Sequence, residues 1–310
     1  MFEPEVIIAI HVYNEEERLP RLLDSLTLQT YSNLKVFISE NHSKDKSLEI
    51  LSRYSRELSM KITTPSKHLN LLENFFFMAS ELVTFASADA MVFYLGADDY
   101  FVHSNSIREL ITMQNITGDE IILPRIYVTS PKSSLRAVKS HYKSRRSFPR
   151  LIQLVSDPIS LGVRVPHSLM SIGAFSYWTR QLSSWRSDKV LARDSFAEYM
   201  ATWDLVARYS MSFCRNATFV KEINNRKDSS NRVSASINPK STIQFSRIFQ
   251  THHNKNLSTF RFIKQRAQIL GDNHNFFLLL SVLSYLRNWI SDLNFFFELM
   301  RYKFRARKNS

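Results

Sequence analysis

The chain has 310 residues, 44% apolar, 13% aromatic and 22% charged, the composition of a folded protein rather than a disordered one, with room for one large or two modest domains. A formal charge of +13 implies an anionic partner: nucleic acid, an anionic membrane face or a phosphorylated substrate. The single cysteine, Cys214, excludes an internal disulfide framework and a cysteine-built zinc site, and with only 5 glycines and neither GxxxxGK[ST] nor GxGxxG no multi-glycine phosphate loop is expected.

Residues 5–12, EVIIAIHV, form a continuous apolar run with β-branched members and predict a buried strand. Residues 15–29 space Leu19, Leu22, Leu23 and Leu26 as one face of a helix. NLKVFISE (33–40) predicts a second strand, residues 43–58 a second helix opened by a Ser cap, and MKITT (60–64) a third strand. LNLLENFFFMASELV (69–83) reads as a helix and AMVFYLG (90–96) as a fourth strand. Strands alternating with helices of this length predict right-handed βαβ units and a mainly parallel α/β sheet. Ligands bind such sheets beyond the carboxyl ends of the strands. Here those ends carry His11 to Glu15, Glu40 to Asp45, and Gly96 to Asp99, so polar and acidic groups gather at three of them.

Beyond residue 105 the periodicity weakens. A helix over SIRELITMQN, a strand over 120–128, a strand-like run over 166–178, a helix over 194–211 and a strand over 217–224 are expected. Segment 131–150 has seven Lys/Arg and no acid, and reads as a loop or short helix. From 240 onward the chain reads as helical. Within 275–304 a narrow polar stripe interrupts an otherwise wide face of Phe, Leu, Trp and Tyr, followed by a basic tail. Such a face packs on the body of the protein, pairs two copies in a homodimer, or lies at a membrane surface. The N-terminal segment has acids and no basic flank, and no uncharged apolar run reaches 18 residues, so neither a signal peptide nor a transmembrane helix is expected. Charge alone raises a nucleic-acid partner, but no RNP, zinc-finger or helix-turn-helix pattern supports one.

The run VIIAIHVYNEEERLPRLLDSLTLQTYSNLKVFISENHSKDKSLEIL, followed by LLENFFFMAS and MVFYLGADDYFVHSNSI, resembles family 2 glycosyltransferases of the GT-A fold. The similarity is close over about residues 5–110 and loose over 165–235. It implies a GT-A domain over 1–235, with a nucleotide-sugar half (1–115) and an acceptor half (116–235), and a helical C-terminal extension over 236–310. It implies an inverting, metal-dependent transfer of a sugar from a UDP-, GDP- or dTDP-sugar to a glycan or lipid-linked acceptor. A bacterial setting in surface polysaccharide or lipopolysaccharide assembly follows from the family, in the cytoplasm or at the cytoplasmic face of the inner membrane. The alternative is a GT-A module that binds nucleotide sugar or a partner without turnover.

The resemblance also assigns residues. Val12, Tyr13, Asn14 and Glu15 would cradle base and ribose, joined by Glu40, Asn41 and Asp45 at the second strand end, Asn74 on the following helix, and Ala97. Asn41 and Ser43 have a plainer reading as caps of the next helix, preferred for Ser43. Glu73 stands where the family carries Arg, removing one phosphate or ribose contact. Asp98 and Asp99 would hold Mn²⁺ or Mg²⁺, because carboxylates facing a diphosphate need a hard cation between them. The family strand ends Leu-Asp-x-Asp-Asp; here Gly96 takes the place of the first acid. Arg226 matches a basic residue facing the diphosphate. The family's acidic pair before WDLxxR is Ala201 and Thr202 here, so the base falls to Asp204, with Glu198 and Asp194 as alternates. Asp204 has a plainer reading as an i,i+4 partner of Arg208.

Overall fold

In the computed structural model, residues 3–130, 133–137, 165–186, 201–202, 205 and 208–222 are described. The first half alternates strictly: β1 (Val6–Val12), α1 (Leu19–Thr27), β2 (Leu34–Glu40), α2 (Ser47–Tyr54), β3 (Met60–Thr63), α3 (Leu71–Phe85) and β4 (Met91–Gly96). Then follow β5 (Tyr100–Phe101), α4 (Ser106–Thr117), β6 (Ile121–Ser130), β7 (Ser133–Ala137), a 3₁₀ turn (Val165–His167), β8 (Leu169–Ser171), α5 (Ile172–Arg186) and β9 (Met211–Glu222). The strands build one sheet in the order β3-β2-β1-β4-β8-β6-β9-β5, with β7 on β6. The β3-β2-β1-β4 half is parallel. β8 lies antiparallel to both β4 and β6, which makes the sheet mixed.

Alternation along β1 assigns its side chains to two layers. Val6, Ile8, Ile10 and Val12 pack with Leu19, Leu22, Leu23 and Leu26 of α1 and with Leu51 of α2. Ile7 and Ala9 pack on the other face with Met78 and Leu82 of α3 and Phe175 and Trp178 of α5. Helices therefore cover both faces, which explains why β1 reads as an uninterrupted apolar run. Each of the fully buried Val, Leu, Ile, Met and Phe side chains among them contributes about 1.5–3 kcal/mol.

Two expectations change. The run 166–178 is strand only over Leu169–Ser171; from Ile172 it is helix, burying Ala174, Phe175, Trp178 and Leu182 against the sheet. A run this apolar fits either period, and the neighbours decided it. Within the basic 131–150 segment, residues 133–137 are a strand that pairs antiparallel with β6 rather than a loop or helix. Of the expected helix over 194–211, Ala201, Thr202, Leu205 and Arg208 are helical, but Tyr209 and Ser210 are not and Met211 already begins β9. The 236–310 extension and its apolar 275–304 stretch lie outside the described residues. No helix among the described residues is long and apolar enough to cross a membrane.

Candidate functional site

Sheet register places three strand ends side by side. Val12 pairs with Glu40, and His11 pairs with Ser39 on one side and Gly96 on the other. Just beyond, Asn14 (φ 54°) and His42 (φ 60°) adopt the left-handed conformation, which non-glycine residues enter rarely and mostly as Asn, Asp or His. These two residues turn the chain sharply where β1 and β2 open into their loops.

The two loops are sewn together. The Asn14 amide donates to Ser43 Oγ (3.1 Å), and the Lys44 amide to Asn14 Oδ1 (2.8 Å). The Glu15 amide donates to Ser47 Oγ (2.9 Å) and the Glu16 amide to Asp45 Oδ2 (3.0 Å). Asp45 Oδ1 accepts from the Ser47 amide at 2.9 Å. This set of bonds holds the Asp45 carboxyl below its ordinary value against a partial burial that would raise it. Ser43 is thus not a helix cap: α2 begins at Ser47, its N-cap Lys46 makes no side-chain cap bond, and the Ser43 hydroxyl ties the first loop to the second.

Glu40 is buried, and its carboxylate accepts from the amides of His42 (3.1 Å) and Ser43 (2.6 Å). Asn41 is not a helix cap either. Its side-chain amide pairs both ways with Leu69: Nδ2 donates to the carbonyl (2.8 Å) and Oδ1 accepts from the amide (2.9 Å). Asn74 is buried, its Oδ1 accepting from Ser39 Oγ at 2.6 Å. Glu73 closes a capping box with Asn70 at the start of α3, which accounts for an acid at that position. Just beyond the β1 end the exposed ring of Tyr13 lies 4.4 Å from that of His68.

The β4 end is built differently. Asp99 is fully buried; its Oδ2 accepts from the Gly96 amide (3.0 Å), and its own amide donates to the Gly96 carbonyl (3.1 Å), closing a tight turn. Lys221 Nζ, on β9, lies 3.7 Å from the same Oδ2. Burial pushes the Asp99 carboxyl up to about 7, the Lys221 ammonium opposing this and Asp98 adding to it. Asp99 Oδ1 is buried without a hydrogen-bond partner. A Cβ on Gly96 would stand 2.6 Å from Asp98 Oδ1 and 3.2 Å from Asp99 Oδ2, so the Asp98 carboxylate fills the space a side chain at 96 would need. The absence of an acid at 96 is therefore matched by the placement of Asp98.

Behind this turn sits a column of rings formed by His11, Tyr94 and His167. His11 Nδ1 meets the Tyr94 hydroxyl at 2.9 Å, and the His167 ring lies parallel to Tyr94 at 6.3 Å. Burial pushes the His11 imidazole down to about 4, Asp98 opposing, and lowers His167 well below the ordinary range. Arg21 donates to the Asp98 carbonyl (3.3 Å), lies over the Tyr100 ring (4.5 Å) and pairs with Glu222, which also faces Arg18 at 3.8 Å. Lys221, Glu222, Arg18 and Arg21 were missed because the contacts that bring them here span the chain. The only hint in sequence was a Lys-Glu pair closing an apolar strand.

Among the described residues no three His, Cys, Asp or Glu side chains gather in a way that could hold a metal ion. Asp98 is half-buried just beyond the β4 end, while the Asp99 carboxylate is turned inward to the Gly96 amide and Lys221. A hard divalent ion held by one or two carboxylates and completed by substrate phosphates and water fits this donor set. Ala201 and Thr202 are buried. Asp204, Glu198, Asp194 and Arg226 lie outside the described residues.

A family model described as "Glycosyl transferase family 2" matches residues 7–175, more than half of the chain. No curated protein matches the sequence. Among solved structures, residues 1–349 of TarS from S. aureus in complex with UDP-GlcNAc superpose with a TM-score of 0.56 at 14% identity, covering 79% of this chain and 65% of that one. The same protein in complex with UDP gives a TM-score of 0.53 at 13% identity, covering 71% and 60%. The chain thus spans under two thirds of each, and at this identity the likeness speaks to the fold.

Proposed function

The chain belongs to glycosyl transferase family 2, and on that premise we propose that it transfers a sugar from a nucleotide-diphosphate donor to a glycan or lipid-linked hydroxyl with inversion. The observation that carries this reading is the convergence of the β1, β2 and β4 carboxyl ends on one edge of the sheet, with Asp98 just beyond the β4 end. The site residues would be Val12 to Glu15 and Ala97 around the nucleotide, with Glu40, Asn41, Asp45 and Asn74 holding the loops that shape it. Asp98 would hold Mn²⁺ or Mg²⁺ with Asp99 bracing the turn beneath it, and the bound ion supplies charge stabilisation to the departing nucleoside diphosphate. Arg226 would add a cation on that side. Asp204, with Glu198 and Asp194 as alternates, would take the acceptor proton.

The catalytic domain would run over 1–235 and the extension over 236–310 would mediate membrane contact or pairing of two copies, as expected of an enzyme of surface polysaccharide assembly. Incubation with UDP-, GDP- and dTDP-sugars and Mn²⁺ tests the reading; absence of donor binding and of hydrolysis for every donor would sink it. A second reading, a module that binds donor without turnover, is favoured by one observation. Ala201 and Thr202 put no carboxylate where the family carries its acidic pair, and both are buried. Calorimetric binding of a donor without turnover on any acceptor would decide for it.

A further inference from the structure

Glu40, at the β2 end among the residues expected around base and ribose, is only 3% exposed, and both of its oxygens already accept backbone amides of its own loop. Another acceptor stands beside Tyr13 and Asn41. His68 Nδ1 lies 3.0 Å from the Asn41 carbonyl. A carbonyl oxygen only accepts, so Nδ1 carries the proton, and in the neutral ring Nε2 presents a lone pair. Among the described residues no partner meets Nε2. The ring is fixed twice over: the Asn41 side chain clamps the adjacent Leu69 backbone in both directions, and Tyr13 packs against the His68 ring. Tyr13, 38% exposed, offers a face on which a heteroaromatic base can stack.

We propose that His68 determines which nucleobase the site accepts, its Nε2 taking the ring N–H of an imide- or lactam-bearing base stacked on Tyr13. This rests on the nucleotide-sugar reading above. Uracil and thymine donate from N3 and guanine from N1, whereas cytosine N3 and adenine N1 are acceptors and would set lone pair against lone pair. An acceptor of the site left facing an acceptor of the base selects against that base, whereas a missing apolar contact discriminates weakly.

Calorimetric titration of the full chain with UDP, dTDP, GDP, CDP and ADP in the presence of Mg²⁺, repeated on His68→Ala and His68→Gln, tests the assignment. His68 is exposed, so neither variant disturbs the core. Binding of UDP, dTDP and GDP about tenfold tighter than CDP and ADP is expected, lost in His68→Ala and partly kept in His68→Gln, whose amide oxygen can accept. An undiminished preference in His68→Ala, or no preference in the unaltered protein, overturns the role of His68 and leaves nucleotide binding standing. An equal loss for all nucleotides marks His68 as support for Tyr13 alone and also overturns it. No binding of any nucleotide overturns both readings together.

Discussion

The ends of β1 and β2 and the end of β4 lie side by side, yet their polar residues are spent in opposite ways. At β1 and β2, Asn14, Asn41, Ser43, Asp45 and Ser47 bond to backbone of neighbouring segments, and Glu40 to backbone of its own loop. At β4, Asp99 is buried with one oxygen unpartnered and a carboxyl pushed up to about 7, beside Lys221 and a low-pKa His11. The first region is a scaffold whose satisfied hydrogen bonds fix loop shape. The second keeps a buried carboxylate paired with Lys221, one oxygen without a hydrogen-bond partner, next to the half-buried Asp98. A carboxylate at a strand end is therefore not evidence of chemistry until its partners are known.

Substitutions should separate the two regions. The largest effect is expected from Asp98→Asn. If this acid holds the cation, transfer or hydrolysis falls by on the order of a hundredfold or more, while the denaturation midpoint stays near that of the unaltered protein. A proportionate loss of stability would mean the β4 end is scaffold too. Asn41→Ala should do the reverse, leaving the Leu69 amide and carbonyl without their partner and lowering stability by about 2 kcal/mol in urea unfolding. Gly96→Ala should lie between. The Asp98 carboxylate can swing aside, so stability drops by only about 1 kcal/mol, but metal-dependent nucleotide binding weakens as Asp98 leaves its place.

The smallest effect is a slope. The His11 imidazole sits at about 4 in the folded chain against an ordinary value of 6.5, so between these values the unfolded chain binds a proton that the folded one does not. Its contribution is full above pH 6.5 and is lost as pH falls toward 4. Urea midpoints across that window should fall less steeply for His11→Gln than for the unaltered protein. Equal slopes would show that His11 is solvated rather than buried against Tyr94.

Much of the first half was legible in sequence. The leucine spacing of α1, the apolar run of β1 and the alternating order of strands and helices each depend on near neighbours, and each element formed within a few residues of its expected bounds. The three polar strand ends were legible for the same reason, since parallel βαβ units must open on one edge. Segment 166–178 was not, because an apolar run with no clear period takes its form from whatever it packs against, here β4, β6 and α3.

The sequence alone therefore determined the βαβ frame and which residues stand at the carboxyl edge, because periodicity and connection length are local properties of a chain. Only the tertiary structure decided what those residues do. Burial and hydrogen-bond satisfaction depend on partners far along the chain: Leu69 for Asn41, Asn14 for Ser43, and β9 with its Lys221 for Asp99. The same holds for Gly96. Sequence presented it as a deleted acid; the fold shows a space already filled by the carboxylate of Asp98.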